Sequence, residues 1–383
     1  MNSHSVRGCR VLAAWLATSS LLTAGAALPA CSSSGAPASQ CPVIPPGYES
    51  PATTSNWDIV RSRFGLLETR AGMGLRDNLN EWLPEYEGGP ATAAELSRPH
   101  VTLSDGAGNL YIADKEAHGI RKVSLDGIIT TVAGTNVIGD GGDGPAAATT
   151  VALNNPNGLD VHADGTFFIL DLGNSKVRKV TPDGTLTTLF AVPGGLPVGR
   201  GLWVADDESE VLVAAGDKVK RWRPAEGVSI FANGFTDLGM ILRVAPGRVL
   251  IADRGGFRVF EARGEGDCMT MATIAGNGLP GTTIPGALAT VTAFNEPRAI
   301  WPYPGGGFFV GTHQGSQVLF VDSAGRAQLF LDGDNGEFSG DGQAYDTPGL
   351  KVSELRSLTL NPLGDLVITE SDEGRVRVVH AVP

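Results

Sequence analysis

Three histidines are the residues of this chain best suited to metal chemistry. His100 stands at the start of an apolar run, while His118 and His313 stand in polar stretches between two such runs. Neutral imidazoles bind zinc when three converge and leave a fourth position open. No H-x-H or H-x-x-H spacing places two of them on one element, so a zinc site would depend on the fold bringing distant segments together. A second set is harder in character. Asn157, Asn295, Glu296 and Glu354 offer oxygen donors of the kind calcium takes, but Arg98, Arg200, Arg298 and Arg356 are interspersed with them and oppose a cation. Asp140, Asp143, Asp332, Asp334, Asn335 and Asp341 lie in Gly-rich stretches, yet none completes a D-x-[DN]-x-[DN]-G-x5-E loop, and turn chemistry accounts for them. There is no G-x-S-x-G, no Walker loop and no G-x-G-x-x-G between a strand and a helix. The sequence therefore names no catalytic residue and no cofactor, and calcium is the one metal its donors suit.

The elements that must position these residues recur along the chain. YIADKEAHGIRKVSLDG from Tyr111 returns as FFILDLGNSKVRKVTPDG from Phe167, VLVAAGDKVKRWRPAEG from Val211, VLIADRGGFRVFE from Val249, FFVGTHQGSQVLFVDSAG from Phe308 and LVITESDEGRVRVVH from Leu366. Each copy reads as an apolar strand, a polar Gly-containing turn and an alternating basic and apolar strand, the period-two signature of a hairpin. A further strand precedes most hairpins, as in PHVTLSDGAGN and PNGLDVHADG, and a fourth follows several, as in GIITTVAG and TLTTLFA. Four antiparallel strands in each of six units predict an all-β, six-bladed β-propeller.

The sixth unit ends at His380-Ala381-Val382-Pro383 with three strands, which would leave an open edge. GLLETRAG (65–72) aligns with GIITTVAG (127–134) and has no blade before it. This N-terminal strand is therefore expected to complete the C-terminal blade and close the ring. Four longer segments, at 88–99, 139–156, 278–297 and 339–355, are versions of one insertion between an outer strand and the next inner strand. They are expected on one face, above the central opening, as a binding surface. Trp82, Tyr86 and Phe338 lie in or near them and read equally as contact residues or as plugs beneath the loops.

The repeat resembles that of the NHL propellers. Tyr111-Ile112-Ala113-Asp114 with Arg121-Lys122-Val123 carries the likeness best. Blade two keeps Asp171 and Val177-Arg178-Lys179-Val180, and blade four keeps Ile251-Ala252-Asp253 but lacks the Arg-Lys pair. Blades three, five and six have Ala215, Thr312 and Glu370 near the aspartate position. Asp114, Asp171 and Asp253 read as acceptors for turn amides, because equivalence across blades argues against a catalytic role. The resemblance also implies two enzymatic comparisons. Peptidylglycine amidating lyases hold zinc with histidines, for which His100, His118 and His313 would be the candidates here. Calcium-dependent lactonases and esterases place carboxylates and amides at the axis, where this chain offers His100, Asn157, Arg200, Glu296, Arg298, Glu354 and Arg356 as ligand-facing residues.

The first residues carry Arg7 and Arg10, an apolar run from Val11 to Ala27, and Leu28-Pro29-Ala30-Cys31. This order is a secretory signal. It resembles the bacterial lipoprotein signal, which implies acylation at Cys31, a signal peptide over 1–30, a flexible tether over 31–60 and the propeller over 61–383. Ser32 after the acylated position points to the outer membrane of a bacterial cell envelope. Cys41 and Cys268 then remain; they could pair in an oxidising envelope, though sequence does not establish that they meet. Of 29 basic residues, Arg7 and Arg10 leave with the signal, so 27 stand against 41 acidic ones and the net charge moves from -12 to -14. Such a surface repels nucleic acid. These features together describe a monomeric, lipid-anchored binding or scaffolding module for an envelope protein, a peptide or a glycan. Its membrane contact would be through the lipid alone. The alternative is a metal-dependent hydrolase or lyase with its site at the propeller axis.

Overall fold

A computed structural model describes residues 41–74, 82–196, 198–333 and 339–382; Cys31, Asp334, Asn335 and Phe338 lie outside them. Six antiparallel sheets form the six blades of a β-propeller. The inner strands are Pro99–Ser104, Pro156–Val161, Gly199–Val204, Leu238–Ala245, Pro297–Pro302 and Leu355–Leu360. Each touches the next, and the sixth touches the first, so together they ring a central axis. Second strands such as Leu110–Asp114, Phe167–Asp171 and Val211–Ala215 are buried along their whole length. A strand inside a blade is sandwiched between neighbouring blades, so both of its faces must be apolar, and continuous apolar runs result.

The ring closes with the strand Phe64–Ala71, which pairs antiparallel to Arg375–Ala381, matching Leu67 to Val379 and Thr69 to Arg377. Phe64 drives this docking. Its ring meets Phe309 at 5.8 Å and Phe330 at 5.1 Å, and Tyr345 stacks on Phe330 at 4.4 Å. Blades three, five and six, weak in repeat motif, have the same four-strand order and fully buried second strands.

The four insertions do not gather above the opening. Each runs to the outside of the disc and pairs with the outer strand of the blade it introduces: Pro90 with Ile128, Ala146 with Leu186, Leu288 with Arg326, and Ala344 with Leu66. The amides of Ala91, Ala148, Ala289 and Tyr345 bond the carbonyls of Gly127, Gly184, Gly325 and Gly65. These small or aromatic residues are buried, so the insertions caulk the seams between blades.

Residues 41–60, expected as part of a flexible tether, are attached to the propeller. They lie against blades four and five: Cys41 is bonded to Cys268, the Tyr48 amide bonds Glu261, and Asn56 bonds the carbonyls of Gly305 and Gly306. A short helix, Trp57–Arg61, stacks Trp57 on Phe320 at 6.1 Å and delivers the chain into the closing strand. These hydrogen bonds and ring contacts hold the segment on the surface of the propeller, although many of its residues stay exposed.

Candidate functional site

Six equivalent residues, five with side chains, share one level at the axis. His100, Asn157, Arg200, Gly239, Arg298 and Arg356 are each the second residue of an inner strand. Just ahead of the strands stand Arg98, Asn155, Asp237, Glu296 and Glu354, and the residues that follow the second strands add Lys115, Arg254 and His313. Arg98, Asn155 and Glu296 hold left-handed backbone, with φ of 55, 51 and 55 degrees. Such non-glycine conformations persist where the surroundings enforce them.

Charge alternates around this mouth. Arg200 pairs with Asp237, which lies 2.5 Å from Arg254, which in turn lies 2.7 Å from Glu296. His313 follows, with Nδ1 at 3.0 Å from Glu296 and Nε2 at 2.5 Å from Glu354. Glu354 pairs with Arg356, and Asp372 sits 3.9 Å from Arg356 and 3.6 Å from Arg98. Glu116, 3.1 Å from Arg98 and 3.8 Å from Lys115, ends an arc through five blades. Blade two contributes Asn157, whose amide nitrogen bonds the Gly199 carbonyl. Of the seven expected axial residues, Arg200, Glu296, Glu354 and Arg356 belong to the arc. His100 is buried and contacts the Arg98 carbonyl at 2.9 Å. Arg298 lies within the ring and is paired with no carboxylate among the described residues.

The electrostatics follow from burial among cations. Burial, then Arg298 and Arg356, push the His313 imidazole down to about 3, outweighing the pull of Glu296. The same causes, burial first, hold His100 well below the ordinary imidazole value. Asp372 is pushed up to about 6 by burial and by Glu354. At neutral pH the mouth thus holds uncharged imidazoles between ion pairs.

The three histidines do not meet. His118 accepts the Asn155 amide at 3.2 Å between blades one and two, whereas His313 serves the junction of blades five and six. Among the described residues no three His, Cys, Asp or Glu side chains converge as metal ligands. Calcium requires about six to eight oxygens, and Glu296 and Glu354 are already engaged by Arg254 and Arg356. The donor set present does not fit a cation.

The Gly-rich loop aspartates answer the third-strand arginines instead. Asp140 lies 2.7 Å from Arg178, and Asp341 lies 2.8 Å from Arg377. Asp143 lies 2.9 Å from Lys176, and Asp332 accepts from Gln317 at 2.9 Å. Trp82 covers Arg121 at 3.8 Å and meets Tyr86 at 5.4 Å, so both aromatics plug the fold.

The opposite mouth was not anticipated. A cavity of about 450 Å³ is lined by Leu103, Ser104, Asp160, Val161, Trp301, Tyr303, Leu360, Asn361 and three prolines. Blades two and five both contribute, so it lies across the axis, at the far ends of the inner strands. Asp160, pushed up to about 6 by burial, accepts the Val204 amide. WPYPGGG was the available signal, but its Trp and Tyr read as strand and turn residues.

No known family profile matches the chain. A curated relative, teneurin-3 of Danio rerio, is 36% identical over 118 residues, which is 26% of this chain and 4% of that protein. Solved structures share the fold. A protein of unknown function from Bacteroides thetaiotaomicron superposes with a TM-score of 0.63 at 11% identity, covering 83% of this chain and 76% of its own. An auxiliary nutrient binding protein of the same organism gives 0.62 at 12% identity, covering 83% and 77%. A gluconolactonase of Xanthomonas campestris gives 0.56 at 12%, covering 87% and 94%. At such identities the likeness is one of fold. Binding proteins and a hydrolase both stand among the neighbours, and fold does not choose between them.

Proposed function

We propose that this chain is a ligand-binding module of a bacterial cell envelope, an NHL-type propeller anchored by lipid at Cys31. The aromatic cavity carries the reading. Its volume falls within the range of small-ligand sites, about 300–1,000 Å³, and it combines apolar walls with a few polar groups. Trp301 and Tyr303 are half-buried, and each offers a large rigid surface with a polar tip, suited to a sugar ring or an aromatic peptide side chain. Ser104, Asp160 and Asn361 are the polar groups of the lining; Asp160 is held by the Val161 and Val204 amides and Asn361 by its own turn, which leaves Ser104 to orient a ligand. The neighbour described as a nutrient binding protein supports a binding role for this architecture. The binding face is the cavity side, since the long insertions are spent on sealing the blades.

Titration of the full-length chain with panels of neutral oligosaccharides and short peptides, read by tryptophan fluorescence and compared with Trp301→Ala, tests this. A saturable change lost in Trp301→Ala is expected. Turnover of a lactone or ester, stimulated by added calcium, with no ligand engaging Trp301, would overturn it. Metabolic labelling with a fatty acid, abolished by Cys31→Ala, checks the anchor separately.

A further inference from the structure

Arg298 is 3% exposed, and among the described residues its Nη1 has no hydrogen-bond partner. Every other arginine at the axial mouth is engaged: Arg98 by Glu116, Arg200 by Asp237, Arg254 by Asp237 and Glu296, and Arg356 by Glu354. The mouth therefore holds six cationic side chains (Arg98, Lys115, Arg200, Arg254, Arg298 and Arg356) against five carboxylates (Glu116, Asp237, Glu296, Glu354 and Asp372), and Arg298 is the one left over. A guanidinium removed from water without a partner is costly. As the second residue of its inner strand it is axial, and the charges acting on it come from Arg356 on blade six, Arg200 on blade three and Arg254 on blade four, offset in part by Glu354 of blade six, which Arg356 already engages. A side chain from blade five reaches such an environment only by projecting toward the centre of the ring.

A guanidinium presents a planar fork that matches carboxylate and phosphate oxygens in two parallel hydrogen bonds. Arg200 and Arg356, at the same level of their own strands, flank it with further positive charge. We propose that Arg298 forms the base of an oxyanion site at the inner-strand-start mouth of the channel, taking the carboxylate or phosphate group of a ligand. The site is distinct from the aromatic cavity, which opens at the other end of the same strands. An anion there completes the charge arc. It also relieves the unpaired guanidinium, in the way a substrate group satisfies a buried polar site left open for it.

The test uses the full-length chain at constant ionic strength, with D-glucuronate, inorganic phosphate and uncharged D-glucose as probes. Wild-type protein is expected to gain thermal stability with glucuronate or phosphate and not with glucose; which acid acts identifies the source of the group. Arg298→Gln is expected to weaken that acid's binding by about tenfold or more, the loss of one charge-assisted hydrogen-bonded pair. It should itself unfold no more easily than wild type, since it removes an unpaired charge. No response of wild type to either acid, or an undiminished response in Arg298→Gln, overturns the proposal. Should the variant fail to fold, wild-type crystals soaked in selenate decide. An anomalous peak within hydrogen-bond distance of the Arg298 guanidinium supports the site, and its absence there refutes it. None of these readouts involves Trp301, so the oxyanion site can fail while the aromatic cavity stands.

Discussion

The Asp114 carboxylate lies 3.0 Å from Nε of Arg121, and neither side chain is exposed. Asp171 and Arg178 repeat the pair at 3.0 Å, and Glu370 with Arg377 repeats it at 3.5 Å. Burial pushes Asp114 up and Arg121 down from their ordinary values, against the pull of each on the other. Desolvation thus outweighs the attraction, and the pair's use is in positioning: Asp114 also accepts the Ser97 amide at 2.6 Å, and Asp171 the Asn154 amide at 2.8 Å. The repeated acid clamps the chain entering the inner strand to the hairpin beside it.

Asp114→Ala should therefore destabilise the protein by about 3–5 kcal/mol, because it strands a buried guanidinium. Asp114→Leu combined with Arg121→Met should recover part of this, the Ser97 amide remaining unpaired. Urea denaturation of the variants measures both. A single variant within about 1 kcal/mol of wild type would remove the clamp from the account.

Acidity is the second handle. Glu261 is buried beside Glu49 and Arg248, and burial, then its hydrogen bond to Glu49, raises it to about 7. Burial also lifts Glu49, but hydrogen bonds from Glu261 and the backbone outweigh it and hold Glu49 below the usual range. The folded state thus keeps a proton on Glu261 that the unfolded chain releases near its ordinary value of 4.5. Between these values the native state binds more protons, so stability falls as pH rises, by up to about 1.4 kcal/mol per pH unit from this group. Glu370, raised by burial to about 7, acts in the same direction. The lowered imidazoles of His313 and His100 act in the opposite direction below about 6.5, so the Glu261 contribution is read by difference: the unfolding free energy of wild type minus that of Glu261→Gln should fall from mild acid to neutrality. A difference that rises over that range would contradict the assignment.

Much of this architecture can be read from the chain because blades impose strong patterns. Second strands lie between neighbours, so they are apolar throughout, and GLLETRAG betrays its place by matching GIITTVAG. The destination of the insertions was not legible. Ala91, Ala148 and Ala289 carry no directional signal, and only the hydrogen bonds to Gly127, Gly184 and Gly325 send them outward. At the axis, Glu296 and Glu354 were found from their place before inner strands. Asp237 holds the same place before Leu238 and was missed with its whole strand, whose LGMILRVA lacks the proline that marks several of the others. Arg254, Lys115 and His313 are likewise equivalent, one residue past the second strand. Trp301 and Tyr303 were hidden because an aromatic residue at a strand end looks the same whether it lines a cavity or fills a core.

Closure of the ring makes a third prediction. Phe64 lies on the strand that links the N-terminal region to blade six, yet its ring packs on Phe309 and Phe330 of blade five. Phe64→Ala should cost about 3–5 kcal/mol, and deletion of residues 64–72 should unfold the entire propeller in one transition, since it reopens an edge. Calorimetry of both variants is decisive. A deletion variant melting at the wild-type temperature would mean that the C-terminal blade needs no outer strand.

Gly239 tests the axial level itself. It is the one glycine among the six equivalent positions, and a Cβ there would stand 2.3 Å from the Arg298 carbonyl oxygen and 2.9 Å from the Arg298 Cα. Both are backbone atoms of the adjacent inner strand, so no side chain can swing away to make room. Gly239→Ala should therefore separate the inner strands of blades four and five and cost about 1–3 kcal/mol, the range of overpacked cores. It should also disturb Arg298, whose backbone must shift. Arg200, one blade away, keeps its contact with Asp237 only if Leu238 stays in place, because Arg200 also bonds the Leu238 carbonyl at 3.1 Å. Thermal melting together with amide exchange of residues 297–300 separates local strain from global loss. Unchanged exchange and unchanged melting would show that the strands at this mouth are not in the close contact on which the ring of charges depends.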